Sequence, residues 1–270
     1  MKILVIGGTG LIGSQVVARL QRQGHTVVPA APSTGVDVLS GEGLDLAMAG
    51  ASVVVDLANS PSLADDAAMA FFRTAGRNVL AAGARAGITH HLALSVVGTE
   101  RLQASGYFRA KLEQERLVRR SGLRHTIVHS TQFHEFVPRI VDAAADGDTV
   151  RLSPALVQPI ASEDVAEAVS RLALQPPADS VVEIAGPERL PLVELARRLM
   201  RFTGDTRALV SDPGAPYFGA TLAAETLVPG HGAWLGTRPF QEWLEGSGMG
   251  ATRPRQARQA APQPSRRGDP

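Results

Sequence analysis

The most constraining feature of this sequence is a glycine-rich run near the N-terminus, VIGGTGLIG, which ends at Gly13. It follows the apolar segment KILV and leads into a stretch with helical periodicity from Leu11. Glycine permits a tight turn and a close approach to the backbone, because it has no Cβ. The start of a helix offers free N–H groups and a positive dipole to an anion. The run therefore predicts a strand, a turn and a helix that together hold a phosphate-bearing ligand.

The spacing of the glycines narrows the ligand. Both G-x-G-x-x-G and G-x-x-G-x-x-G are satisfied, and in a strand–loop–helix context these patterns are typical of dinucleotide binding. A glycine-rich turn without a ligand is the alternative, and the context favours NAD(P). The predicted cofactor-binding residues of this loop are Gly7, Gly8, Thr9, Gly10, Leu11, Ile12 and Gly13.

The first two thirds of the chain alternate short apolar runs with helix-length segments. The runs are continuous rather than alternating, as expected for parallel strands covered on both faces. We predict strands at 2–7, 25–30, 52–57, 91–96, 125–130 and 181–186, and helices at 11–23, 65–86, 107–121 and 192–202. This repetition predicts an α/β fold, a Rossmann-type doubly wound parallel sheet. A very short additional strand is predicted at Val36–Val38.

Beyond about Thr131 the pattern loosens. We expect one domain over 1–245, with a small C-terminal substrate-covering lobe built from about 131–160 and 203–245. A helix is expected after Ser162, which is predicted to cap it. The tail 246–270 is rich in Pro and Arg and is predicted to be disordered.

Composition excludes several classes of protein. The chain has no cysteine, so disulfides, thiolate nucleophiles and Cys-ligated zinc are impossible, and the histidines follow no standard metal-ligand spacing. The tail carries five arginines and one aspartate against a net charge of +1, which leaves an acidic body unsuited to nucleic acid. Without a long apolar run or a signal peptide, we expect a cytoplasmic protein with no membrane contact, a monomer or homodimer acting on a small molecule.

The end of the second strand bears on the choice between NAD and NADP. An acidic residue there usually holds the ribose hydroxyls of NAD, and an arginine accommodates the 2′-phosphate of NADP. This chain has Ala-Ala-Pro followed by Ser33 and Thr34, with neither charge. The two hydroxyls could bind a 2′-phosphate or belong to an ordinary turn. The sequence favours NADP on this ground, with NAD as the alternative.

A second constellation suggests catalysis. Tyr107 and Lys111 are four residues apart at the start of a predicted helix, so they share a face. Ser95 lies at the end of a predicted strand, on the edge where ligands bind. A nearby ammonium lowers the pKa of a phenol and makes it a usable acid or base. The same lysine, Lys111, can also hold the nicotinamide ribose of the cofactor, and the serine hydroxyl could position a substrate oxygen. The alternative, a packed aromatic and a surface lysine, is less favoured beside the glycine loop.

Three other side chains are weaker candidates for the pocket. His129, at a strand end, could touch substrate, although a structural role is more common. Phe136 and Trp234 could line an apolar substrate pocket, but aromatic residues are more often core.

Together these features resemble the short-chain dehydrogenase/reductase superfamily, and within it the atypical NmrA-like branch. The resemblance covers roughly residues 1–245 and rests on GGTGLIG, ALSVVG, YFRAK, TIVHSTQF, QPIASEDVAEA and EIAGPERL. It implies adenine contacts at Asp37 and Val38, a cofactor contact at Thr131 and substrate contacts at Gln132 and Phe133. The chain departs from the family in having His129 where an arginine is usual, and in lacking the basic residue at the second strand.

The resemblance implies an NAD(P)-dependent oxidoreductase that moves a hydride between nicotinamide and a small carbonyl or quinone-type substrate, with Tyr107 exchanging the proton. A non-catalytic redox sensor that binds the dinucleotide is the first alternative, because some NmrA-like proteins lack the tyrosine. An epimerase or isomerase that uses bound cofactor is a weaker one. Retention of Tyr107 favours the enzyme.

Overall fold

The computed structural model describes residues 1–250, and its centre is a seven-stranded parallel sheet. Two smaller sheets bring the number of strands in these residues to twelve. In chain order they are β1 (Lys2–Ile6), β2 (Thr26–Ala30), β3 (Val53–Asp56), β4 (His90–Val96), β5 (His125–Ser130), β6 (Ala145–Asp146), β7 (Thr149–Leu152), β8 (Leu156–Val157), β9 (Ser180–Ala185), β10 (Leu190–Pro191), β11 (Ala208–Ser211) and β12 (Trp234–Leu235). The order across the central sheet is β12-β9-β5-β4-β3-β1-β2. The predicted doubly wound parallel fold is confirmed.

Helices cover both faces of this sheet. They are α1 (Leu11–Arg22), α2 (Leu44–Met48), α3 (Asp65–Ala86), α4 (Gly106–Arg120), α5 (Val137–Ala143), α6 (Ser162–Ala173), α7 (Leu192–Thr203) and α8 (Phe240–Gly246). Helices α1 and α6 pack on one face, and α2, α3 and α4 on the other. The continuous apolar runs follow from this, since Ile3, Leu4 and Val5 are fully buried although they point to opposite faces.

The strand order reverses direction at β1, which lies between β2 and β3. The loops that follow β1 and β3 therefore diverge, and a crevice opens beyond their carboxyl ends. In open parallel sheets this switch point is where ligands bind. The fold thus places the glycine run at the mouth of a crevice.

The C-terminal part of the chain adds a lobe beside the carboxyl edge of the sheet. Its small sheets have the order β11-β7-β6 and β10-β8. Side chains of α5, α7 and α8, including Ile140, Leu195 and Phe240, form its apolar core with Val150 and Trp243. Within residues 1–250, no helix is long and apolar enough to cross a membrane.

Two local predictions are wrong. No strand forms at Val36–Val38: the segment is a compact turn whose backbone bonds locally, for example from the Asp37 N–H to the Glu42 carbonyl at 3.0 Å. Ser162 is the first residue of α6 rather than its cap. Its hydroxyl donates to Glu135 at 2.6 Å instead of accepting from the helix backbone. A hydrogen bond to Glu135, a residue distant in sequence, therefore takes the place of the predicted helix cap.

The predicted disordered tail falls mostly outside the described residues. Its first residues are described as far as Gly250, and Met249 packs against the apolar core of the lobe. The body of the protein therefore extends a few residues past the predicted boundary at 245.

Candidate functional site

The glycine loop joins β1 to α1, and its glycines are needed for different physical reasons. A Cβ at Gly13 would lie 2.1 Å from the Gly7 carbonyl oxygen, and one at Gly8 would lie 2.8 Å from Pro29 Cα. These two glycines are required by packing. A Cβ at Gly10 would meet only the Gly7 carbonyl oxygen, at 3.3 Å. The protein itself leaves room at Gly10, and that room faces the crevice.

The start of α1 is open to a ligand. Its cap residue, Gly10, makes no side-chain hydrogen bond, and the first turn contains no acidic residue. The first N–H groups of the helix and its positive dipole are therefore available to an anion. This arrangement fits a pyrophosphate.

A groove of about 700 Å³ runs across this loop. The predicted residues Gly7, Thr9, Gly10, Leu11, Ile12, Gly13, Asp37, Val38 and Lys111 all line it, whereas Gly8, Ser33, Thr34 and Thr131 do not. The residues that line it extend from the turn after β2, past the glycine loop, to α4. The groove therefore has the shape and the donors that an extended dinucleotide needs, and we call it the nucleotide groove.

The turn after β2 is held by the protein itself. The Thr34 hydroxyl accepts from the Ala31 N–H at 2.9 Å and lies within donor distance of two carbonyls, that of Ala31 at 2.9 Å and that of Pro29 at 3.0 Å. Asn78 of α3 donates to the Val38 and Leu39 carbonyls at 2.9 Å. The structure thus gives no support to a role for Thr34 in binding a 2′-phosphate. Among the residues that line the nucleotide groove, Lys111 is the only basic one.

A second cavity, of about 320 Å³, opens beside the nucleotide groove towards the lobe. We call it the substrate cavity. The two share the wall residues Asn59, Pro61, Ser95, Val96, Tyr107 and Phe133. Of the predicted substrate residues, Gln132 and Phe133 both line this cavity, as do Phe136 and Thr131, but Trp234 does not.

Tyr107 lies where the two cavities meet. Its hydroxyl donates to Asn59 Oδ1 at 3.0 Å. Burial raises the pKa of Tyr107 to about 12, although the bond to Asn59 acts in the opposite direction. The expected lowering of this pKa by Lys111 is absent from the structure. The phenol is therefore protonated at neutral pH and donates its hydrogen bond to Asn59.

Lys111 is fully buried and faces the sheet rather than the tyrosine. Its ammonium donates to the Leu94 carbonyl at 2.8 Å and to Gln114 Oε1 at 2.5 Å. Burial lowers the pKa of Lys111 to about 8, against the raising effect of Asp56 and Glu115. Lys111 therefore supplies a desolvated cation to the floor of the nucleotide groove.

Ser95 occupies the predicted strand end, but its hydroxyl is committed elsewhere. It donates to Glu115 Oε1 at 2.5 Å, and His129 Nε2 contacts the same oxygen at 2.9 Å. Arg119 binds the other oxygen of Glu115 at 2.9 Å. This buried cluster ties α4 to β4 and β5, since Ser95 and His129 are register partners on those strands. Ser95 and Tyr107 both line the two cavities, but their hydroxyls bind different partners, Glu115 and Asn59. His129 lines neither cavity.

Thr131 and Gln132 follow β5 and differ in their availability. The Thr131 hydroxyl donates to the Gln158 carbonyl at 2.6 Å. Both polar atoms of the Gln132 side chain are buried at the cavity wall without a hydrogen-bond partner in the part of the chain that the structure describes. Buried amides are rarely left unpaired. The Gln132 amide therefore stands out at the cavity wall as a buried polar group, with the Tyr217 hydroxyl beside it.

The sequence reasoning missed Asn59, Arg139, Tyr217 and Phe218, all of which line the substrate cavity. Asn59 could have been found as a polar residue just past the third strand, at the edge where ligands bind. The other three lie on a helix and a turn of the lobe, where the sequence carries no motif.

Comparison with known proteins places the chain. A family model for NAD(P)H-binding proteins matches residues 7–176, which is more than half of the chain. The chain belongs to this NAD(P)H-binding family, and its cofactor is NAD(P). The family match confirms the predicted NAD(P)-binding protein, and the fold is one that short-chain dehydrogenases/reductases share. A search of curated proteins found no significant match.

Solved structures show the same fold at low sequence identity. A short-chain dehydrogenase/reductase superfamily protein from Agrobacterium tumefaciens with bound NAD has a TM-score of 0.67 at 20% identity, over 92% of this chain and 96% of that one. An NADPH-dependent quinone oxidoreductase from Escherichia coli, complexed with NADPH, has a TM-score of 0.66 at 18% identity, over 91% and 99%. UDP-glucose 4-epimerase from Thermus thermophilus, with NAD, has a TM-score of 0.62 at 17% identity, over 84% and 92%.

Proposed function

We propose that this protein is an NAD(P)-dependent oxidoreductase that reduces a small carbonyl or quinone-type substrate, with Tyr107 as the proton donor. The observation that supports this best is the position of Tyr107 in the wall shared by the nucleotide groove and the substrate cavity. A group at that junction can touch both a bound nicotinamide and a substrate oxygen.

The chemistry fits the reductive direction. Bound NAD(P)H supplies a hydride to the carbonyl carbon, and the oxygen then needs a proton. The phenol of Tyr107, with a pKa near 12, holds that proton throughout the neutral range. Asn59 orients the hydroxyl, and a positioned acid of this kind contributes about 10²–10⁴-fold to the rate. Lys111 holds the cofactor ribose from the groove floor.

The test is turnover by Tyr107→Phe, which keeps the ring and removes the ionisable oxygen. Oxidation of NADH or NADPH would be followed by absorbance across a panel of aldehydes, ketones and quinones. With a substrate that the natural protein turns over, kcat should fall by about 10²–10⁴-fold. The affinity for NADH should stay within a few-fold, because the ring and its packing remain.

Tyr217→Phe is the matched comparison, since the chain has only two tyrosines. Tyr217 lines the substrate cavity but not the nucleotide groove, so its loss should lower kcat less than tenfold. A Tyr107→Phe variant with normal kcat would rule out the assigned proton donor. Tight NADH binding without turnover of any substrate in the panel would favour the sensor.

A further inference from the structure

The substrate cavity is walled by aromatic rings in an unbroken series. The chain has eight phenylalanines and two tyrosines, and four of the former and both of the latter line this one cavity. From Tyr107 the ring centroids follow at 5.6 Å to Phe108, 6.4 Å to Tyr217, 4.9 Å to Phe218 and 5.8 Å to Phe136. Rings at these separations pack against one another, so together they form a continuous apolar wall against which a planar ligand can pack.

The residue that carries one of these rings has an unfavourable backbone conformation. Phe218 has a φ of +46°, and Gly219, which follows it, has +87°. Tyr217 and Ala220 exchange backbone hydrogen bonds of 2.7 and 3.1 Å around them, which makes a two-residue turn. A bulky side chain in the left-handed region is a true outlier, and such strain clusters at ligand clamps. The turn therefore holds Phe218 in a position where it lines the cavity.

The far end of the aromatic series carries a positive charge. The guanidinium of Arg139, on α5, lies 5.9 Å from the centre of the Phe136 ring. Arg139 is exposed, so it stands at the cavity mouth. The other charged lining residue, Asp65, is neutralised by Arg109 at 2.7 Å. Within residues 1–250, Arg139 has no ion pair or side-chain hydrogen bond, so its donors are free to meet an anion.

We propose that the substrate is a planar, aromatic carbonyl compound whose far end carries a carboxylate or a similar anion bound by Arg139. This proposal rests on the proposed function for one point, the placement of the substrate carbonyl at Tyr107. The aromatic rings then lie between that carbonyl and Arg139. Apart from Tyr107, the first ring of the series, the groups that recognise the aromatic body and the anionic end take no part in the proton transfer. An arginine fork suits this task, because it binds a planar oxyanion through two parallel hydrogen bonds.

The test measures binding rather than turnover. The full chain, saturated with NAD⁺, would be titrated by calorimetry with 2-naphthoate and with 2-naphthamide, which have nearly the same shape but differ in charge. The natural protein should bind the carboxylate about tenfold more tightly, the effect of one charged hydrogen-bonded contact. In Arg139→Gln this preference should disappear, and Arg139→Lys should keep part of it.

Arg151→Gln is the control, since Arg151 is an exposed arginine of the same lobe that does not line the cavity. It should keep the preference for 2-naphthoate. Equal affinity for the two ligands in the natural protein, weak binding of both, or a preference that survives in Arg139→Gln would each overturn the proposal. The two proposals can fail separately. Normal turnover in Tyr107→Phe together with an Arg139-dependent preference for 2-naphthoate would overturn the proposed function alone, whereas loss of turnover in Tyr107→Phe without that preference would overturn this proposal alone.

Discussion

The nucleotide groove and the substrate cavity meet at Tyr107 but are built in different ways. The groove depends on backbone: the glycine loop, a helix N-terminus and a turn after β2 come from the first 40 residues of the chain. The cavity depends on side chains that arrive from loops after β3 and β5, from α4 and α5, and from a turn near residue 218. A ligand common to many proteins is bound by local backbone geometry. A ligand particular to this protein is bound by distant side chains, which can change without disturbing the fold.

The substitution that should most clearly separate the groove from the cavity is Gly10→Val, because it changes the backbone loop of the groove alone. The Gly10 backbone, at φ −78° and ψ −178°, is extended and open to any residue, but a Cβ there would lie 3.3 Å from the Gly7 carbonyl oxygen, so the variant should fold with a modest loss of melting temperature. Its branched side chain would occupy the space of the pyrophosphate. We expect the affinity for NADH to fall by more than about a hundredfold, roughly 2.7 kcal/mol, by calorimetry.

Gly13→Ala is the matched control within the same loop. Its Cβ would lie 2.1 Å from the Gly7 carbonyl oxygen, so this variant should lose stability instead. Near-normal NADH affinity in a folded Gly10→Val protein would show that the ligand does not approach the backbone here.

The next effect concerns Glu115, which lies behind the shared wall and accepts the hydrogen bond of Ser95, one of the wall residues. Burial alone would raise the pKa of Glu115, but hydrogen bonds from His129 and Ser95 and the charge of Arg119 hold it below its usual value. A lowered folded-state pKa contributes stability above the unfolded-state value, about 4.3, which is lost as the pH falls through the folded-state value. Glu115→Gln should therefore cost about 2 kcal/mol of unfolding free energy at pH 7.

Urea unfolding at several pH values measures this. The difference between the natural protein and Glu115→Gln should shrink as the pH falls below about 4. Arg116→Gln is a control on the same helix, because its contact with Glu113 is long, at 4.0 Å, and exposed. A difference that does not change with pH would mean that packing, and not the charge, is what Glu115 contributes.

The smallest effect should come from Thr34→Ala. The Thr34 hydroxyl bonds to the backbone of its own turn, so its loss should cost about 1 kcal/mol of stability. The ratio of NADPH to NADH affinity should change by less than about twofold, since 1.4 kcal/mol would be needed for tenfold. A selective loss of NADPH affinity, measured by fluorescence titration, would restore the hydroxyl as a reader of the 2′-phosphate.

The sequence alone determined the fold and the groove, because both depend on short-range patterns. Continuous apolar runs require a sheet covered on both faces, and the glycine spacing requires a tight turn into a helix. Asp37 and Val38, for which the resemblance implies adenine contacts, line the groove. Gln132 and Phe133 line the cavity, since a segment that directly follows a parallel strand lies at the ligand edge, and their contacts with ligands stay predictions.

The tertiary structure decided the direction of each side chain and the partner it found. Ser95 stands at the predicted strand end, yet Glu115, twenty residues later on α4, takes its hydroxyl. Lys111 shares a helix face with Tyr107 but is drawn to the Leu94 carbonyl, so burial and not the ammonium sets the pKa of the phenol. Arg139 and Phe218 have no motif and reach the cavity only because the lobe folds over the carboxyl edge of the sheet. Contacts between residues far apart in sequence leave no periodic pattern in the sequence, because each contact depends on how a whole layer of helices or strands packs in the folded protein.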